Sequence, residues 1–481
     1  MSNNLKPNTM NTILHSMKKL LILVLFAPVI AFAQWSAPVS ISPRAMNASM
    51  NENMGPGICS SHDTLHVIWS DHRTKGYAIY YTRSTDSGIT WSNSVAITDT
   101  MGSATMPSLA VSGRNIHVVW WDTVKKIACS CYEHSVDGGN TWSNRLVIDS
   151  NTVYWPGVAV AGSTVLVSID KEPLSRTTVF LAISKDNGNS FSAEQQISTP
   201  TTGTGRSEDQ GTATDGKNIY MCWNDNRNSP TTLEIYYRRS RDMGKTWDPE
   251  IQISNAASYS PMIYCDSAKV YVALGFSSPL NSYIAESTDS GATFSPIKQV
   301  TTNVSTNADA YPSMVVDGPN LYMTTHIFPT KPWTVSFTQS SDGGATWSKE
   351  IQLGDCNGTS FMVLTCPMLH VVWPNNGSIY YSRNPTAAPS CPTTPTGIES
   401  VNNTAGQIFL YPNPVQYSAT VVFDGSGTHA IEVYDITGRK ISSYQSVLNK
   451  YTFLCNELSP GMYFVKIITG NNAQVVKFIK Q

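Results

Sequence analysis

The chain has 481 residues, of which 14% are charged and 10% aromatic, and its formal net charge is −2. Charged residues make up roughly 25% of a typical protein, and here Ser, Thr, Asn and Gly take their place. Because phosphate recognition needs clustered Lys and Arg, this mildly acidic composition excludes a nucleic-acid binder and favours a β-rich exported protein with polar turns.

The N-terminal segment, residues 1–33, has the pattern of a secretory signal peptide. Residues 18–33 read KKLLILVLFAPVIAFA, with a basic start, an apolar centre and an A-x-A ending. Met17 directly precedes the two lysines and is a possible true start. The apolar stretch is shorter than a membrane span, and no later stretch is apolar enough to cross a bilayer. We expect a mature chain that starts at Gln34, carries a net charge of −5 and has no transmembrane segment.

The chain contains nine cysteines, and an odd number leaves at least one of them unpaired within the monomer. They form no C-x-x-C pair or His/Cys cluster with zinc spacing. The sequence therefore predicts no metal site and no cofactor, although a structural calcium ion stays possible. Cys129 and Cys131 lie on one face of a predicted strand, and we expect them to be packed rather than disulfide-bonded. A Cys356–Cys366 disulfide is possible, but the sequence does not specify it.

An octapeptide with the pattern S-x-D-x-G-x-T/S-W/F occurs six times, at intervals of 47 to 56 residues. In such a segment Asp and Ser side chains accept hydrogen bonds from turn amides, Gly allows a left-handed backbone, and the aromatic residue fills space between sheets. We therefore predict a structural role for the aspartates. The copies are STDSGITW (84–91), SVDGGNTW (135–142), SKDNGNSF (184–191), SRDMGKTW (240–247), STDSGATF (287–294) and SSDGGATW (340–347), with aspartates Asp86, Asp137, Asp186, Asp242, Asp289 and Asp342.

Each octapeptide lies among short strand-like segments. In the first unit it follows LHVIW (65–69) and AIYYTRS (78–84) and precedes SVAIT (94–98). A further segment, such as PSLAVS (107–112), comes before the next pair. Four short strands in a period of about 50 residues, separated by turn residues, are typical of a propeller blade.

The number of blades follows from the two ends of the repeat region. Residues 369–384, LHVVWPNNGSIYYSRN, form a seventh strand pair that no octapeptide follows. Residues 34–43, QWSAPVSISP, resemble the segment after an octapeptide, TWSNSVAIT (90–98). We therefore predict that the N-terminal segment completes the last unit and removes a free sheet edge. The predicted fold is an all-β propeller over 34–384 with seven blades, or six if the weak third unit, 164–184, is irregular.

The six octapeptides resemble the Asp boxes, also called bacterial neuraminidase repeats, of the sialidase-like propellers. The resemblance covers nearly all of residues 35–384. In that family the boxes lie on the turn between the third and fourth strands, away from the ligand-binding face. The resemblance therefore implies a binding face at the other end, in the loops between second and third strands and between successive blades.

The loops of that implied face carry the candidate ligand-binding residues. The W-x-D-x-R pattern occurs twice, at Asp71/Arg73 and at Asp225/Arg227, which also favours a salt bridge under each loop. Exposed tryptophans in these loops fit stacking on sugar rings, and packing in the interior is the alternative. The candidates are Asp71, Arg73, Trp121, Asp122, Trp155, Arg206, Asp225 and Arg227.

Four further loop residues, Glu208, Asp209, Asp309 and Tyr311, are candidates for catalysis or calcium binding, with solvated loop residues as the alternative. The enzymes of the resembled family use three arginines around the substrate carboxylate, a Tyr/Glu nucleophilic pair and an Asp acid/base. Their first arginine usually lies in an R-I-P motif, which SPRAMN (42–47) does not match. The sequence therefore favours a propeller that binds a glycan or a surface protein. An exo-α-sialidase or another glycoside hydrolase is the alternative, and a scaffold within a surface assembly is a third.

The C-terminal part forms a separate module. Residues 385–406 are rich in Pro, Thr and Ser and are predicted to be a linker. Residues 407–481 alternate apolar residues with Asn-Pro, Thr-Gly and Pro-Gly turns, which predicts a small antiparallel β-sandwich. The motifs Y-P-N-P, V-Y-D-x-x-G-R and L-x-P-G-x-Y-F-V-K resemble the sorting domain of the type IX secretion system. This implies contact with the secretion machinery and export to the surface of a Gram-negative bacterium or its medium. An adhesive sandwich is the alternative.

Overall fold

The structure, a computed structural model, consists of two compact units, Met1–Pro392 and Thr393–Gln481. The predicted signal peptide, with Met17, and the predicted linker beyond Pro385 lie outside the described residues. The residues described are 35–43, 57–385 and 409–480, except for 62, 73–74, 151–154, 172–176, 200–206, 267, 278–279, 303–307, 329–332, 366–367, 412–414, 416–417, 423–427, 436–438, 449, 456–457, 460 and 470–471.

All regular elements of the described residues are β-strands, as the sequence predicts. Within this part of the chain, no helix has the length and apolar character needed to cross a membrane. The strands of the first unit are β1 (Val39–Ser40), β2 (Ile58–Ser61), β3 (Thr64–Asp71), β4 (Ala78–Ser84), β5 (Val95–Ala96), β6 (Thr105–Ser112), β7 (Asn115–Val124), β8 (Ile127–Ser135), β9 (Leu146–Ser150), β10 (Gly157–Ala161), β11 (Thr164–Lys171), β12 (Thr178–Ser184), β13 (Gln195–Gln196), β14 (Ser207–Thr214), β15 (Ile219–Asp225), β16 (Glu234–Ser240), β17 (Ile251–Gln252), β18 (Ser258–Asp266), β19 (Lys269–Ser277), β20 (Leu280–Ser287), β21 (Lys298–Gln299), β22 (Ala308–Asp317), β23 (Asn320–Phe328), β24 (Trp333–Ser340), β25 (Ile351–Cys356), β26 (Phe361–Thr365), β27 (Met368–Asn375) and β28 (Ser378–Pro385).

These strands pair into antiparallel sheets of four. Sheets one to six each take four consecutive strands, from β2–β5 for sheet one to β22–β25 for sheet six. The weak third unit forms such a sheet, β10–β13, like its neighbours. Sheet seven contains β26, β27 and β28, and its fourth strand is β1 from the N-terminal end of the described chain. Val39 pairs with Tyr381 and Ser40 with Tyr380, which confirms that the N-terminal segment completes the last unit.

The second strand of each sheet is buried over most of its length because neighbouring sheets cover both of its faces. Its residues are therefore buried in a continuous run rather than in alternation, as Leu65–Trp69 shows, and most of them are apolar. A tryptophan near the end of four of these strands is completely or almost completely buried. These four are Trp69, Trp120, Trp223 and Trp373.

Contacts between sheets follow the order of the chain. The first strand of each sheet contacts the first strand of the next, and β26 of sheet seven also contacts β2 of sheet one. One hydrophobic cluster joins sheets seven and one, with Phe361, Val372 and Tyr381 on one side and Val67 and Trp69 on the other. The core therefore consists of layers between successive sheets, including the last and the first.

The second unit contains a three-stranded sheet, β29-β30-β33, and a four-stranded sheet, β32-β31-β34-β35. One hydrophobic cluster includes Val421 and Phe453 from the smaller sheet and Val433, Val465 and Phe478 from the larger one. Its strands are β29 (Phe409–Tyr411), β30 (Ser418–Val422), β31 (His429–Asp435), β32 (Lys440–Ser446), β33 (Lys450–Leu454), β34 (Gly461–Thr469) and β35 (Asn472–Lys480).

The described cysteines have free thiols. Cys129 and Cys131 are both buried on β8 and not bonded to each other, as the sequence predicts. Burial raises the pKa of the Cys131 thiol to about 12, so that it stays protonated at neutral pH. Cys366, the predicted partner of Cys356, lies outside the described residues.

Candidate functional site

The six Asp boxes all lie on the turn between the third and fourth strands of sheets one to six. In five of these sheets a backbone amide of the turn donates to the hairpin between the first and second strands at the same end of the sheet. In sheet one the Ser87 amide donates to the Asp63 carbonyl at 3.0 Å, and in sheet two the Gly138 amide donates to the Arg114 carbonyl at 2.9 Å. Because the strands are antiparallel, the other two sets of loops lie at the opposite end. That end is here called the loop end.

The carboxylate of each box aspartate accepts hydrogen bonds from residues of its own turn. In the second box, the Ser135 hydroxyl donates to Asp137 Oδ1 at 2.8 Å and accepts the Gly139 amide at 2.9 Å. The Thr141 amide and hydroxyl donate to the two carboxylate oxygens of Asp137 at 2.9 and 2.7 Å. The other five boxes repeat this pattern. Hydrogen bonds from the residue four positions later lower the pKa to about 2 for Asp86, Asp186, Asp242 and Asp342, and the pKa of Asp137 and Asp289 is lowered as well.

The glycine and the aromatic residue of a box contact the preceding sheet. The Trp142 ring meets the Tyr81 ring edge-on, with centroids 5.2 Å apart. Gly139 has φ of 85°, and a Cβ there would collide with the Tyr81 hydroxyl. Trp91 of sheet one packs in the same way on Tyr381 of sheet seven, at 5.0 Å. The box therefore fastens one sheet to the sheet before it.

Three tyrosines that contact boxes, Tyr81, Tyr132 and Tyr381, each lie beside a buried histidine. These histidines are not among the residues predicted from the sequence. His66 Nδ1 lies 2.7 Å from the Tyr81 hydroxyl, and His117 Nδ1 lies 2.6 Å from the Tyr132 hydroxyl. His370 Nδ1 lies 2.7 Å from the hydroxyl of Tyr381 in sheet seven. The signal was the recurring L/I-H-V-x-W pattern of the second strands. Burial lowers the pKa to about 4 for His66 and to about 3 for the other two histidines.

At the loop end, three of the candidate aspartates lie beneath the loops. The indole N–H of the tryptophan two positions earlier donates to each carboxylate, over 3.4 Å for Asp71 and Asp122 and 3.2 Å for Asp225. All three side chains are buried. Asp122 also accepts the Ser103 hydroxyl at 2.8 Å and forms a salt bridge of 3.3 Å with Arg145. The W-x-D pattern thus supports the loops from below.

Arg227 forms the salt bridge predicted for the W-x-D-x-R pattern. Its guanidinium contacts Asp225 Oδ2 and Glu250 Oε2, each at 2.5 Å. It also stacks over the Tyr236 ring, 4.1 Å from the centroid. In the described part of the chain, its charge is therefore balanced by two carboxylates. Arg73 and Arg206, the other two candidate arginines, lie outside the described residues.

The remaining candidates lie on the first or second strands near the loop end, except for Trp155, which precedes β10 by two residues. Trp121 lies on β7 and is half-buried. Glu208 and Asp209 lie on β14 and Asp309 on β22, with their side chains outside the described part. The other two, Trp155 and Tyr311, are half-buried and have positive φ values of 49° and 56°. No described group of three or more His, Cys, Asp and Glu side chains is arranged to hold a metal ion.

Tyr311 borders a small crevice between the first strands of sheets five, six and seven. Ser260, Ser313, Thr359 and Phe361 also line this crevice. The Tyr311 ring meets the Tyr259 ring edge-on at 6.2 Å. Ser260, Ser313, Thr359 and Phe361 are buried, whereas Tyr311 is half-buried.

Two solved structures illustrate the similarity of this chain to known folds. An ulvan lyase of polysaccharide lyase family PL25 superposes with a TM-score of 0.52 at 10% identity, covering 72% of this chain and 95% of its own. Trypanosoma rangeli sialidase in complex with sialic acid has a TM-score of 0.45 at 12% identity, covering 93% of this chain and 88% of its own. The likeness to the lyase shows the fold alone. The comparison with curated proteins gave no match.

Two family models match the chain. The BNR repeat-like domain matches residues 29–272, and the secretion system C-terminal sorting domain matches residues 409–481. The sorting domain marks the protein for the type IX system, which delivers it to the medium or the outer surface of a Gram-negative bacterium. The chain therefore belongs to the sialidase-like BNR repeat family and ends in a type IX secretion sorting domain.

Proposed function

We propose that this secreted protein binds a glycan through its loop end. The observation that carries the proposal is the difference between the two ends of the sheets. At the Asp-box end, the carboxylates, glycines and aromatic rings are occupied by turn and inter-sheet contacts. The loop end carries three half-buried aromatic rings, Trp121, Trp155 and Tyr311, which keep part of their surface in solvent.

The architecture that we infer for this function is a closed, seven-bladed propeller over residues 34–384. Seven four-stranded sheets, the contacts of each first strand with the next, and the pairing of β1 with β28 support it. Residues 385–406 would be the linker to a two-layer sandwich, 407–481, whose two sheets share one hydrophobic cluster.

Binding accounts for the described side chains better than catalysis does. Asp71, Asp122 and Asp225 are buried under tryptophan side chains, and Arg227 is held between two acids. These groups stiffen the loops that carry the binding residues. A glycoside hydrolase, the alternative, would require an acid and a nucleophile among Glu208, Asp209, Asp309 and Tyr311.

The experiment is a glycan array probed with the mature chain, beside a fluorogenic sialoside assay. We expect saturable binding to a defined set of glycans and no turnover. Turnover that is lost in Asp209→Asn or Asp309→Asn would contradict binding as the sole activity and favour the hydrolase. A different result would overturn the proposal in favour of a protein ligand. In that case the chain binds no glycan but captures a surface protein that has been stripped of glycan.

Deleting residues 407–481 should leave the protein in the periplasm with its remaining domain folded. The reason is that the sorting domain is a separate compact unit with its own hydrophobic cluster. Immunoblots of periplasm, outer membrane and medium measure location, and resistance of the retained protein to protease measures folding. The full-length chain, produced at the same level, is the control. Efficient appearance of the truncated chain in the medium would refute a sorting role for this segment.

A further inference from the structure

Four first strands begin with the same unusual backbone conformation. In sheets two, three, five and six, a residue other than glycine adopts a left-handed conformation immediately before a proline. In three of these sheets the pairing with the second strand shifts at this point, which is the mark of a β-bulge. We call the four the bulge residues: Met106 (φ 53°), Trp155 (φ 49°), Ser260 (φ 52°) and Tyr311 (φ 56°).

This conformation is unfavourable for two independent reasons. A side chain other than that of glycine crowds the backbone when φ is positive. A following proline, in addition, favours an extended conformation for the residue before it. Such strain persists only where the surroundings fix it, and it is concentrated at functional sites.

The neighbouring first strands fix the strain in place. The Val158 amide of sheet three donates to the Ser108 hydroxyl, two residues after Met106, at 3.2 Å. The Met362 amide of sheet seven donates in the same way to the Ser313 hydroxyl, two residues after Tyr311, at 3.1 Å. The bulges at Met106 and Tyr311 are thus tied to the next sheet immediately beyond their prolines.

The Asp boxes contain left-handed residues that serve as a comparison. The residue after each box aspartate is glycine in two boxes, Gly138 and Gly343, and keeps a side chain in the other four, Ser87, Asn187, Met243 and Ser290. None of these four side chains is aromatic, whereas two of the four bulge residues, Trp155 and Tyr311, carry large aromatic rings. The bulge positions are therefore distinguished by the type of side chain that they carry.

The bulges of sheets five and six contribute to the crevice at the loop end. Ser260 and Tyr311 line it together, and Thr359 of sheet seven completes its polar side. The Tyr259 ring, beside Tyr311, lies over Gly275, where a Cβ would come within 2.9 Å of it. Glycine at 275 thus leaves the space that this aromatic ring occupies.

We infer that the bulge residues form the floor of the glycan site, with Trp155 and Tyr311 as two platforms on which sugar rings stack. The inference rests on the proposed function and specifies its ligand. Trp155 belongs to sheet three and Tyr311 to sheet six, and two sheets separate them on the shorter way around the circle of first strands. A ligand that stacks on both rings therefore needs at least two sugar rings, one for each platform, and is an oligosaccharide rather than a single terminal sugar.

The test compares Trp155→Gly and Tyr311→Gly with the mature wild-type chain, using the oligosaccharide that binds best on the array and its constituent monosaccharide. We expect the wild type to bind the oligosaccharide at least about tenfold more tightly than the monosaccharide. Each glycine variant should lose at least about tenfold in affinity, equivalent to about 1.4 kcal/mol, by calorimetry. Its melting temperature should stay close to that of the wild type, because relief of backbone strain offsets the lost ring contacts.

Two sets of controls keep the result interpretable. Met243→Gly relieves the same strain in an Asp box (φ 56°) and should leave affinity unchanged. Trp155→Phe and Tyr311→Phe keep a ring and should retain affinity within about threefold, less than the tenfold that corresponds to 1.4 kcal/mol. If a glycine variant does not fold, Trp155→Leu and Tyr311→Leu replace it. If the wild type binds no glycan, the proposed function is refuted. If the wild type binds but the Gly or Leu variants keep its affinity, this inference alone is overturned. Equal affinity of the wild type for monosaccharide and oligosaccharide would also overturn this inference alone.

Discussion

Replacing Trp142 by alanine should lower the free energy of unfolding by about 3 kcal/mol, toward the lower end of the range for buried aromatic residues because the indole is half-buried. The ring fills the space between sheets one and two and meets Tyr81 edge-on at 5.2 Å. Its removal leaves a cavity that Gly139, which has no side chain, cannot fill. Chemical denaturation of the mature chain, followed by tryptophan fluorescence and circular dichroism, measures the loss.

Val136→Ala is the matched control for this substitution. Val136 lies in the same octapeptide, but its side chain is 57% exposed, so its loss should leave the unfolding midpoint unchanged. Asp137→Ala should also lower stability, because the Ser135 and Thr141 groups and the turn amides lose their acceptor. Glycan affinity of the folded fraction should stay at the wild-type value in all three variants. Loss of binding with an intact melting temperature would instead assign the box to the ligand site.

The repeat of four-stranded sheets could be predicted because each of its signals is local. The octapeptide specifies a turn through residues at most four positions apart, as Asp137 and Thr141 show. The pairing of Val39 with Tyr381 spans nearly the whole unit, yet the similarity of residues 34–43 to the segment after a box was enough to predict it. Because the unit repeats, this long-range strand pairing could be predicted by comparing short segments of the sequence.

The histidine–tyrosine pairs could not be predicted in this way, because their contacts depend on strand register. His66 lies opposite Arg83, and Tyr81 is its diagonal neighbour on the same face. A single histidine in a buried strand does not reveal which side chain it contacts. The register of the hairpin must be known first.

The left-handed conformation of the bulge residues could not be predicted either, because the preference of the backbone at these positions is for a different conformation. A residue before proline favours an extended backbone, so Trp155 and Tyr311 read as ordinary loop residues. Contacts between neighbouring first strands override that preference. The candidate residues themselves could be found from the sequence, but the conformation that makes them distinctive depends on the assembled ring of sheets.

Lowering the pH from 7.5 to 5 should strongly destabilise the first unit, because four of its histidines are buried in the neutral form. Burial lowers the pKa to about 4 for His66 and to about 3 for His117, His326 and His370. A histidine in the unfolded chain has a pKa near 6.5. Below that value the unfolded state binds protons that the folded state does not bind, so stability falls as the pH falls from about 6.5 to about 4.

The expected size of this effect is large. Each such histidine contributes a loss of about 2 kcal/mol at pH 5 relative to pH 7.5, so four of them rival the whole stability of a typical domain. Glu133 acts in the opposite direction, since burial raises its pKa to about 7 and the folded state takes up its proton first. The box aspartates stay ionised throughout this range, since their pKa values lie at or below about 2. We therefore expect a net loss equal to that of about three histidines, measured by thermal melts across the pH series.

His117→Asn isolates one of these titrations. The asparagine side chain can place a polar atom near the position of Nδ1, within reach of the Tyr132 hydroxyl, without a group that takes up a proton in this range. The variant should therefore show a shallower fall of stability with pH than the wild type, by close to one proton between pH 6 and 5. Val136→Ala, an exposed substitution that removes no titratable group, is the comparison and should leave the slope unchanged. If His117→Asn and the wild type lost stability in parallel, the acid sensitivity would have to come from groups other than the buried histidine–tyrosine pairs.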